Sequence, residues 1–407
     1  MPRTPMTTSE ITTDLSTRVE ALVELARQPA AEVYVPVDDV DVEAWTLVGD
    51  PLCEALLLLM RERKLMGGDI YSNARALEAA GVAEAVAFFQ DVEAVPSWLD
   101  FDSLRAGASM ARRNPVGLMF AIHGCLPMTY LDPATAHVMG STGRLAKGGD
   151  FKRRYWETAT GFVGALDVVG MMPGGERWIE WVRIRFLHTM IRLGIQRSGQ
   201  WPLPEAMPIG QVATAASTHV FGPFRVNIIK YFGGIVSQEE LESFCLMWRW
   251  ISRIEGANNQ LLGRTHEEQQ RLQERLVNFN YGSSDAAERM TRDVVTGAAT
   301  MRFPFLMPKR MHRAVIRNLL APDLVEIFES DDLPGDLGIP RDLPAEVAVR
   351  TVGLVLAVLN QGTRLTLVRS AADRWGLQFL EMVVRRQLGG VAAQYRGAPV
   401  GGRPTDQ

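Results

Sequence analysis

The feature that most constrains the fold of this chain is a pair of helical stretches joined by a sharp turn. The stretches cover residues 152–163 and 178–193, and Pro173-Gly174-Gly175 lies between them. Proline followed by two glycines favours a chain reversal, so the two helices are predicted to fold back beside each other. On the second helix, side chains at helical spacing share one largely apolar face. They are Trp181, Ile184, Arg185, His188, Ile191, Arg192 and Ile195.

The histidine on that face has two interpretations. His188 follows Arg185 by three residues and precedes Arg192 by four. An imidazole that can coordinate iron, with cations one turn away that can bind carboxylates, is what a haem with two propionates requires. The alternative is a core histidine beside two arginines whose aliphatic stems are buried, and composition alone favours that alternative.

The rest of the chain also has helical periodicity, with no run of alternating β segments and no repeat of fixed period. The predicted fold is therefore all-α, a multi-helix single domain over residues 18–394, between a disordered leader (1–17) and a flexible tail (395–407). Helices are predicted over 15–27, 51–63, 74–89, 103–113, 133–139, 211–231 (broken at Gly222-Pro223), 267–278, 286–302, 310–320, 323–329 and 373–391. A capping box at Ser237 and Glu240 starts a further helix. Residues 346–359 are almost wholly apolar and are predicted to form an interior helix.

Composition excludes several classes of function. A net charge of −4 without a basic stripe gives no reason to expect nucleic acid as a partner. Three widely separated cysteines predict reduced, buried thiols. The longest apolar runs fall short of the roughly 20 residues that span a membrane, and no secretory signal is recognisable, so we expect a cytoplasmic protein without a transmembrane segment. Dinucleotide, P-loop and zinc-protease motifs are missing from the sequence. Nothing in it fixes the oligomeric state, and a monomer is compatible with it.

The other histidines give weaker signals. His266 and His312 lie in charged sequence and are predicted to be solvated, whereas His123 and His219 adjoin apolar runs and fit the core. A non-haem metal site drawn from His123 and His137 is a further alternative. Its two histidines are fourteen residues apart, too far for a chelate on one helix.

Three short motifs carry a resemblance to a known family. They are Leu126-Pro127-Met128-Thr129-Tyr130, Thr142-Gly143-Arg144-Leu145, and Arg154-x-x-Glu157-Thr158 followed thirty residues later by His188. In these motifs the chain resembles the rubber oxygenases, or latex clearing proteins, and the wider superfamily that includes the MpaB-type oxygenases.

The resemblance implies an all-α, globin-like helical core that encloses haem b (iron protoporphyrin IX). His188 matches the family's proximal iron ligand, and Arg185 and Arg192 lie where they could meet the propionates. Arg154 and Thr158 match polar residues over the distal face. The implied activity is that of a haem-dependent oxygenase that uses O2 on an apolar, isoprenoid or olefinic small molecule.

Two departures from the family change the expectation. Glu157 stands where latex clearing proteins carry a distal lysine, so we expect a five-coordinate or water-ligated iron and a carboxylate that can move protons. The export signal of the rubber degraders is missing, which favours a small substrate over a polymer.

Several alternatives remain open. Glu157 could pair with Arg153 or Arg154 on the helix surface, and Thr158 could bond to its own backbone. Arg185 and Arg192 could pair with carboxylates of the protein. The same scaffold could also serve a peroxide-using or redox-neutral haem enzyme, or a non-catalytic haem-binding sensor.

Overall fold

A computed structural model describes residues 8–141, 150–301, 305–320 and 330–390. Within these ranges the side chains of residues 8–13, 150, 151 and 154 are not described. Three predictions therefore lie wholly outside the described residues: the motif at 142–145, the helix at 323–329 and the tail at 395–407. Of the predicted leader, residues 8–17 belong to a helix and the first seven residues lie outside the described ranges.

The described residues form α-helices and no β-strands, which confirms the predicted all-α, multi-helix class. The helices are α1 Thr8–Ala26, α2 Val42–Thr46, α3 Pro51–Glu62, α4 Ile70–Ala79, α5 Ala83–Glu93, α6 Arg105–Arg112, α7 Pro115–Thr129, α8 Pro133–Ser141, α9 Asp150–Gly164, α10 Glu176–Ser198, α11 Gln211–Phe221, α12 Pro223–Tyr231, α13 Gln238–Ile254, α14 His266–Asn280, α15 Asp285–Ala298, α16 Lys309–Leu320, α17 Leu333–Asp336, α18 Leu343–Asn360 and α19 Thr366–Gln387.

Local sequence accounts for several helix ends. The predicted capping box at the start of α13 is present, with the Ser237 hydroxyl accepting from the Glu240 N–H and the Glu240 carboxylate accepting from the Ser237 N–H. Helix α3 begins at Pro51, after an Asp50 side chain that accepts from the Cys53 N–H at 3.3 Å. The predicted break at Gly222 and Pro223 separates α11 from α12.

Helix α13 lies at the centre of the core. Trp248, Trp250 and Ile251 on it are fully or almost fully buried. It packs closely on α6, where a Cβ placed on Gly107 would lie 2.4 Å from the Phe244 nitrogen, so only glycine fits. Because α13 is covered on several sides, residues on its different faces can contact α6, α10 and α11 at once. The central helix thus holds the elements of the candidate site together.

The interior position predicted for residues 346–359 is wrong. On α18, Leu354 is 69% exposed, Val358 73% and Leu359 68%. The side of α18 that faces the protein carries Ala345, Val349 and Gly353, which are smaller. One segment of the described chain, Leu343–Arg364, is long and apolar enough to cross a membrane, which by itself is weak support for a membrane span.

Candidate active site

Helices α9 and α10 form the predicted antiparallel hairpin. The chain reverses through Gly174, whose φ of +81° lies in the left-handed region that favours glycine. Helix contact is close at Gly161, where a Cβ would lie 3.6 Å from Trp181 Cζ2 and 3.8 Å from Ile184 Cδ1. Nearer the turn, a Cβ on Gly164 would lie 3.0 Å from the side chain of Arg177. These contacts fix which turns of the two helices face each other.

Helices α9, α10, α11 and α13 contribute a cluster of aromatic rings, and we use the term chamber for the region between this aromatic wall and His188. Phe162 lies 4.8 Å from Phe221 and 5.2 Å from Trp248, measured between ring centroids. Trp181 contacts the same Trp248 edge-on at 6.0 Å. Phe221 is only partly buried, although the rings around it are buried. The accessible aromatic surface of this wall therefore belongs mainly to Phe221.

The polar part of the chamber is centred on His188 and Glu255. The Nδ1 atom of His188 lies 3.5 Å from Oε1 of Glu255. Glu255 follows α13 and lies one turn beyond Ser252, whose hydroxyl is 3.1 Å from that of Ser217 on α11. A carboxylate beside Nδ1 orients the ring and leaves Nε2 as the nitrogen that can bind a metal.

His188 is partly exposed, although its neighbours on α10 are buried. Its side chain is 35% accessible, whereas Arg185 and Thr189 on the same helix are buried. Burial, with a smaller contribution from Arg192, nevertheless lowers the pKa of His188 to about 4. An imidazole with this pKa is neutral near pH 7, so one of its ring nitrogens is able to coordinate a metal.

Glu255 is desolvated as well. Burial raises the pKa of its carboxyl to about 8, so most of it is protonated at pH 7. A neutral His188 beside a mostly neutral Glu255 leaves no charge on this desolvated pair near pH 7.

Arg185 is held by carboxylates of the protein. It donates to both oxygens of Asp50 at 2.7 and 2.9 Å and to Asp91 at 2.9 Å. Arg253 of α13 also donates to Asp91, at 2.6 and 3.2 Å. The two guanidinium groups outweigh the burial of Asp91 and hold the pKa of its carboxyl well below the usual range. This network ties α10 to α3, α5 and α13.

Arg192 has a similar set of partners. It donates to Glu54 at 2.7 Å, to the Thr189 hydroxyl at 3.2 Å and to the carbonyl of Ile209. Arg185 and Arg192 thus pair with carboxylates of the protein, which is the alternative given above to pairing with haem propionates. Their role as propionate partners stays a prediction.

The predicted distal residues lie on α9. Glu157 accepts from Arg153 Nε at 2.9 Å, which is the surface pair considered above, and its own side chain is 16% exposed. Thr158 is exposed, and the side chain of Arg154 is not among those described. Thr158 lies one turn before Gly161, and His188 lies one turn after Ile184. Because the helices are antiparallel, both residues lie on the side of this contact that is away from the turn.

Other groups at the site were missed by the sequence analysis. Glu255 shares a face of α13 with Trp248 and Ser252 at helical spacing, a polar interruption of an apolar face that could have indicated it. Arg225 is buried with its guanidinium carbon 4.8 Å from the Phe162 ring centroid, and within the described ranges no carboxylate pairs with it. Burial lowers the pKa of Arg225 to about 10.

The remaining histidines are not at this site. His312, predicted to be solvated, is fully buried, and its Nδ1 lies 3.0 Å from Nε2 of His123. His137 instead packs against Trp201, with ring centroids 6.4 Å apart. The alternative metal site from His123 and His137 is therefore not assembled, and no cluster of three or more potential metal ligands occurs among the described residues. All three cysteines are buried free thiols, as predicted.

The fold gives the first indication of the class of protein. The fold matches that of a solved structure, "Latex Clearing Protein LCP in the closed state", with a TM-score of 0.61 over 87% of this chain and 94% of that chain. The two sequences are 17% identical, so this likeness concerns the fold.

The sequence comparison points to the same family. A rubber oxygenase of Streptomyces sp. (strain K30) is 23% identical over 198 residues, 47% of this chain and 48% of the relative. The chain thus matches about half the length of this curated relative. No family model matches the sequence. The resemblance to the rubber oxygenases and latex clearing proteins is confirmed at low identity.

Proposed function

We propose that this protein is a haem-b-dependent oxygenase that uses O2 on an apolar, olefinic substrate of the isoprenoid class. The observation that carries the proposal is His188, an accessible, neutral imidazole inside the protein whose Nδ1 lies 3.5 Å from the buried Glu255. The relative named for rubber oxygenation supports the oxygenase class, and rubber is itself an isoprenoid olefin.

The residues of the chamber fit a haem. His188 Nε2 would hold the iron while an oxygen of Glu255 accepts a hydrogen bond from Nδ1–H, an arrangement that would fix the orientation of the ring. Phe221 and the partly exposed Ile184 and Ile191 supply apolar surface for the macrocycle. Arg185 and Arg192 hold α10 against α3 and would place positive charge one turn to either side of the ligand.

Haem supplies the activation of O2, and the protein supplies the environment. The aromatic wall formed by Phe162, Trp181, Phe221 and Trp248 excludes water and accepts an apolar substrate. Thr158, on the neighbouring helix α9, would orient a polar atom through its hydroxyl. Glu157 would take up or deliver a proton from its position on α9, where Arg153 holds its carboxylate.

The experiment that tests this proposal is titration of the purified protein with hemin. We expect the wild-type protein to bind hemin with a Soret band of a histidine-ligated haem b. We expect His188→Ala to lose that spectrum, because His188 is the imidazole that lies beside Glu255 among the described ion pairs. His219→Ala is the matched control, since His219 is also desolvated but pairs with Gln273 of α14.

Turnover is measured as oxygen uptake by the reduced, hemin-loaded protein with squalene as the olefin. Uptake that depends on squalene, and that falls in Thr158→Val while hemin binding persists, supports the oxygenase. Hemin binding of equal strength in His188→Ala and the wild type would refute the proposed ligand. Peroxide consumption without oxygen uptake would favour the peroxide-using alternative.

A further inference from the structure

The C-terminal part of the protein exposes an unusual amount of apolar surface. Of nineteen large hydrophobic side chains exposed among the described residues, twelve fall between residues 343 and 382. Single exposed apolar side chains are ordinary on soluble proteins, but a concentration of this kind marks an interaction surface. We call it the C-terminal apolar strip: Leu343, Val347, Val352, Leu354, Val355, Val358, Leu359, Leu365, Leu367, Val368, Trp375 and Met382.

Close backbone packing holds the strip outward. A Cβ on Gly353 of α18 would lie 2.8 Å from the Tyr231 carbonyl oxygen, and one on Gly233 would lie 2.3 Å from the nitrogen of Ala357. Asn360 donates to the Gly233 carbonyl at 2.9 Å. Turning α18 to bury its large residues would drive them into these contacts. The exposure is thus a consequence of how α18 is packed.

The charges of α18 are directed away from the strip. Glu346 is buried and paired with Arg317, and Arg350 Nε donates to the Asn318 side chain at 2.8 Å. Residues 351–363 contain no charged side chain. An uncharged, mainly hydrocarbon face of this length is expected where a helix contacts an apolar phase.

The surroundings of the strip are basic. Residues 343–390 contain six arginines and three carboxylates, although the whole chain has a net charge of −4. Two of those carboxylates, on Glu346 and Asp373, are paired with arginines from other helices. Arg364 and Arg374 are exposed beside the strip, and Trp375 is 71% exposed. Arginine and tryptophan flanking an apolar face are typical of the boundary between lipid chains and head groups.

We propose that the C-terminal apolar strip docks this protein on a lipid surface with anionic head groups. In this arrangement α18 lies in the plane of the surface, with its small residues still packed on α16 and its large residues in the lipid. A crossing orientation would require these packing contacts to break. The inference does not depend on haem binding, although a lipid-docked chamber could receive an apolar substrate from the same phase.

A lipid surface with anionic head groups complements the arginines beside the strip better than a second copy of the chain or a solid hydrocarbon does. A second copy of the chain in a two-fold interface would bring the arginines of both strips together, which is unfavourable. A solid hydrocarbon would give Arg364 and Arg374 no counter-charge.

The test is co-sedimentation of the full chain with vesicles, either of phosphatidylcholine alone or of phosphatidylcholine mixed with phosphatidylglycerol. We expect binding to the mixed vesicles, weakened about tenfold or more in Leu354→Asp/Val358→Asp because two apolar contacts are replaced by charge. Val169→Asp/Leu306→Asp is the matched control, since these residues are 61% and 81% exposed outside the strip. Arg364→Gln/Arg374→Gln should remove most of the preference for the anionic vesicles, about fivefold for each arginine.

Three results would overturn the proposal. The first is equal sedimentation of the wild type and Leu354→Asp/Val358→Asp with mixed vesicles, or no sedimentation of either. The second is a dimer in light scattering that this variant dissociates, which would assign the strip to self-association. The third is adsorption to a polyisoprene emulsion but not to vesicles. Circular dichroism of each variant verifies that all the proteins compared are folded.

Discussion

Helices α10 and α18 show opposite relations between sequence and burial. Helix α10 has seven charged residues in 23, yet eight of its residues are buried, including Arg185 and Arg192. Helix α18 has two charged residues in 18, yet only four of its residues are buried. The difference teaches that burial is decided by the partners a helix meets. The arginines of α10 are buried because carboxylates of α3 and α5 reach them, whereas nothing described covers the leucines and valines of α18.

The largest effect on the difference between α10 and α18 is expected when the buried charge of α10 is removed. Arg185→Leu leaves Asp50 and Asp91 buried with one guanidinium fewer, and should lower the free energy of unfolding by about 3–5 kcal/mol. Urea denaturation followed by circular dichroism measures this. The control is Arg183→Leu, which breaks an exposed pair with Asp69 and should cost less than about 1 kcal/mol. Equal losses in the two variants would mean that the buried network does not stabilise α10.

A second prediction concerns the pH dependence of stability at the chamber. The pKa of Glu255 is about 8 in the folded protein against an ordinary 4.5, so the folded state retains a proton that the unfolded state releases. Stability should therefore fall as pH rises from 4.5 to 8. His188, with a pKa of about 4 against 6.5, acts in the opposite direction between pH 4 and 6.5.

The two effects oppose each other below pH 6.5, so the window from 6.5 to 8 isolates Glu255. Between pH 6.5 and 8 the free energy of unfolding of the wild type should fall by up to about 2 kcal/mol relative to that of Glu255→Gln, which cannot ionise. Urea midpoints measured at several pH values in both proteins provide the comparison. Parallel curves for the two proteins would show that Glu255 is not desolvated.

A third prediction compares the inner and the outer side of α18. Val349 on the inner side of α18 is 4% exposed. Val349→Ala should lower the free energy of unfolding by about 1–2 kcal/mol because it leaves a cavity. Val358, 73% exposed on the outer side, should tolerate the same change within about 0.5 kcal/mol. Thermal unfolding of both variants, made in the same background, measures the difference. A cost at Val358 as large as at Val349 would place the outer face in contact with protein.

The parts of the fold that were predicted correctly depend on local chemistry. The turn at Pro173-Gly174-Gly175, the break at Gly222 and Pro223, and the capping box at Ser237 each act within a few residues. Backbone preferences and side-chain caps of this kind are written in neighbouring residues. The all-α class follows from the same local periodicity.

The parts that were missed depend on long-range pairing. His312 was placed in solvent because arginines surround it in sequence, but α7 brings His123 to it across 189 residues. Asp50 reaches Arg185 across 135 residues, and Glu255 reaches His188 from another helix. No pattern near any of these residues indicates its partner.

The amino-acid sequence by itself determined which segments are helical, where the central hairpin turns and which histidine faces it, because these properties depend on residues a few positions apart. Only the tertiary structure decided that the arginines beside His188 meet carboxylates of the protein, that Glu255 lies beside its ring, and that the most apolar late helix lies on the outside. The physical reason is that the burial of a side chain depends on which distant helix packs against it.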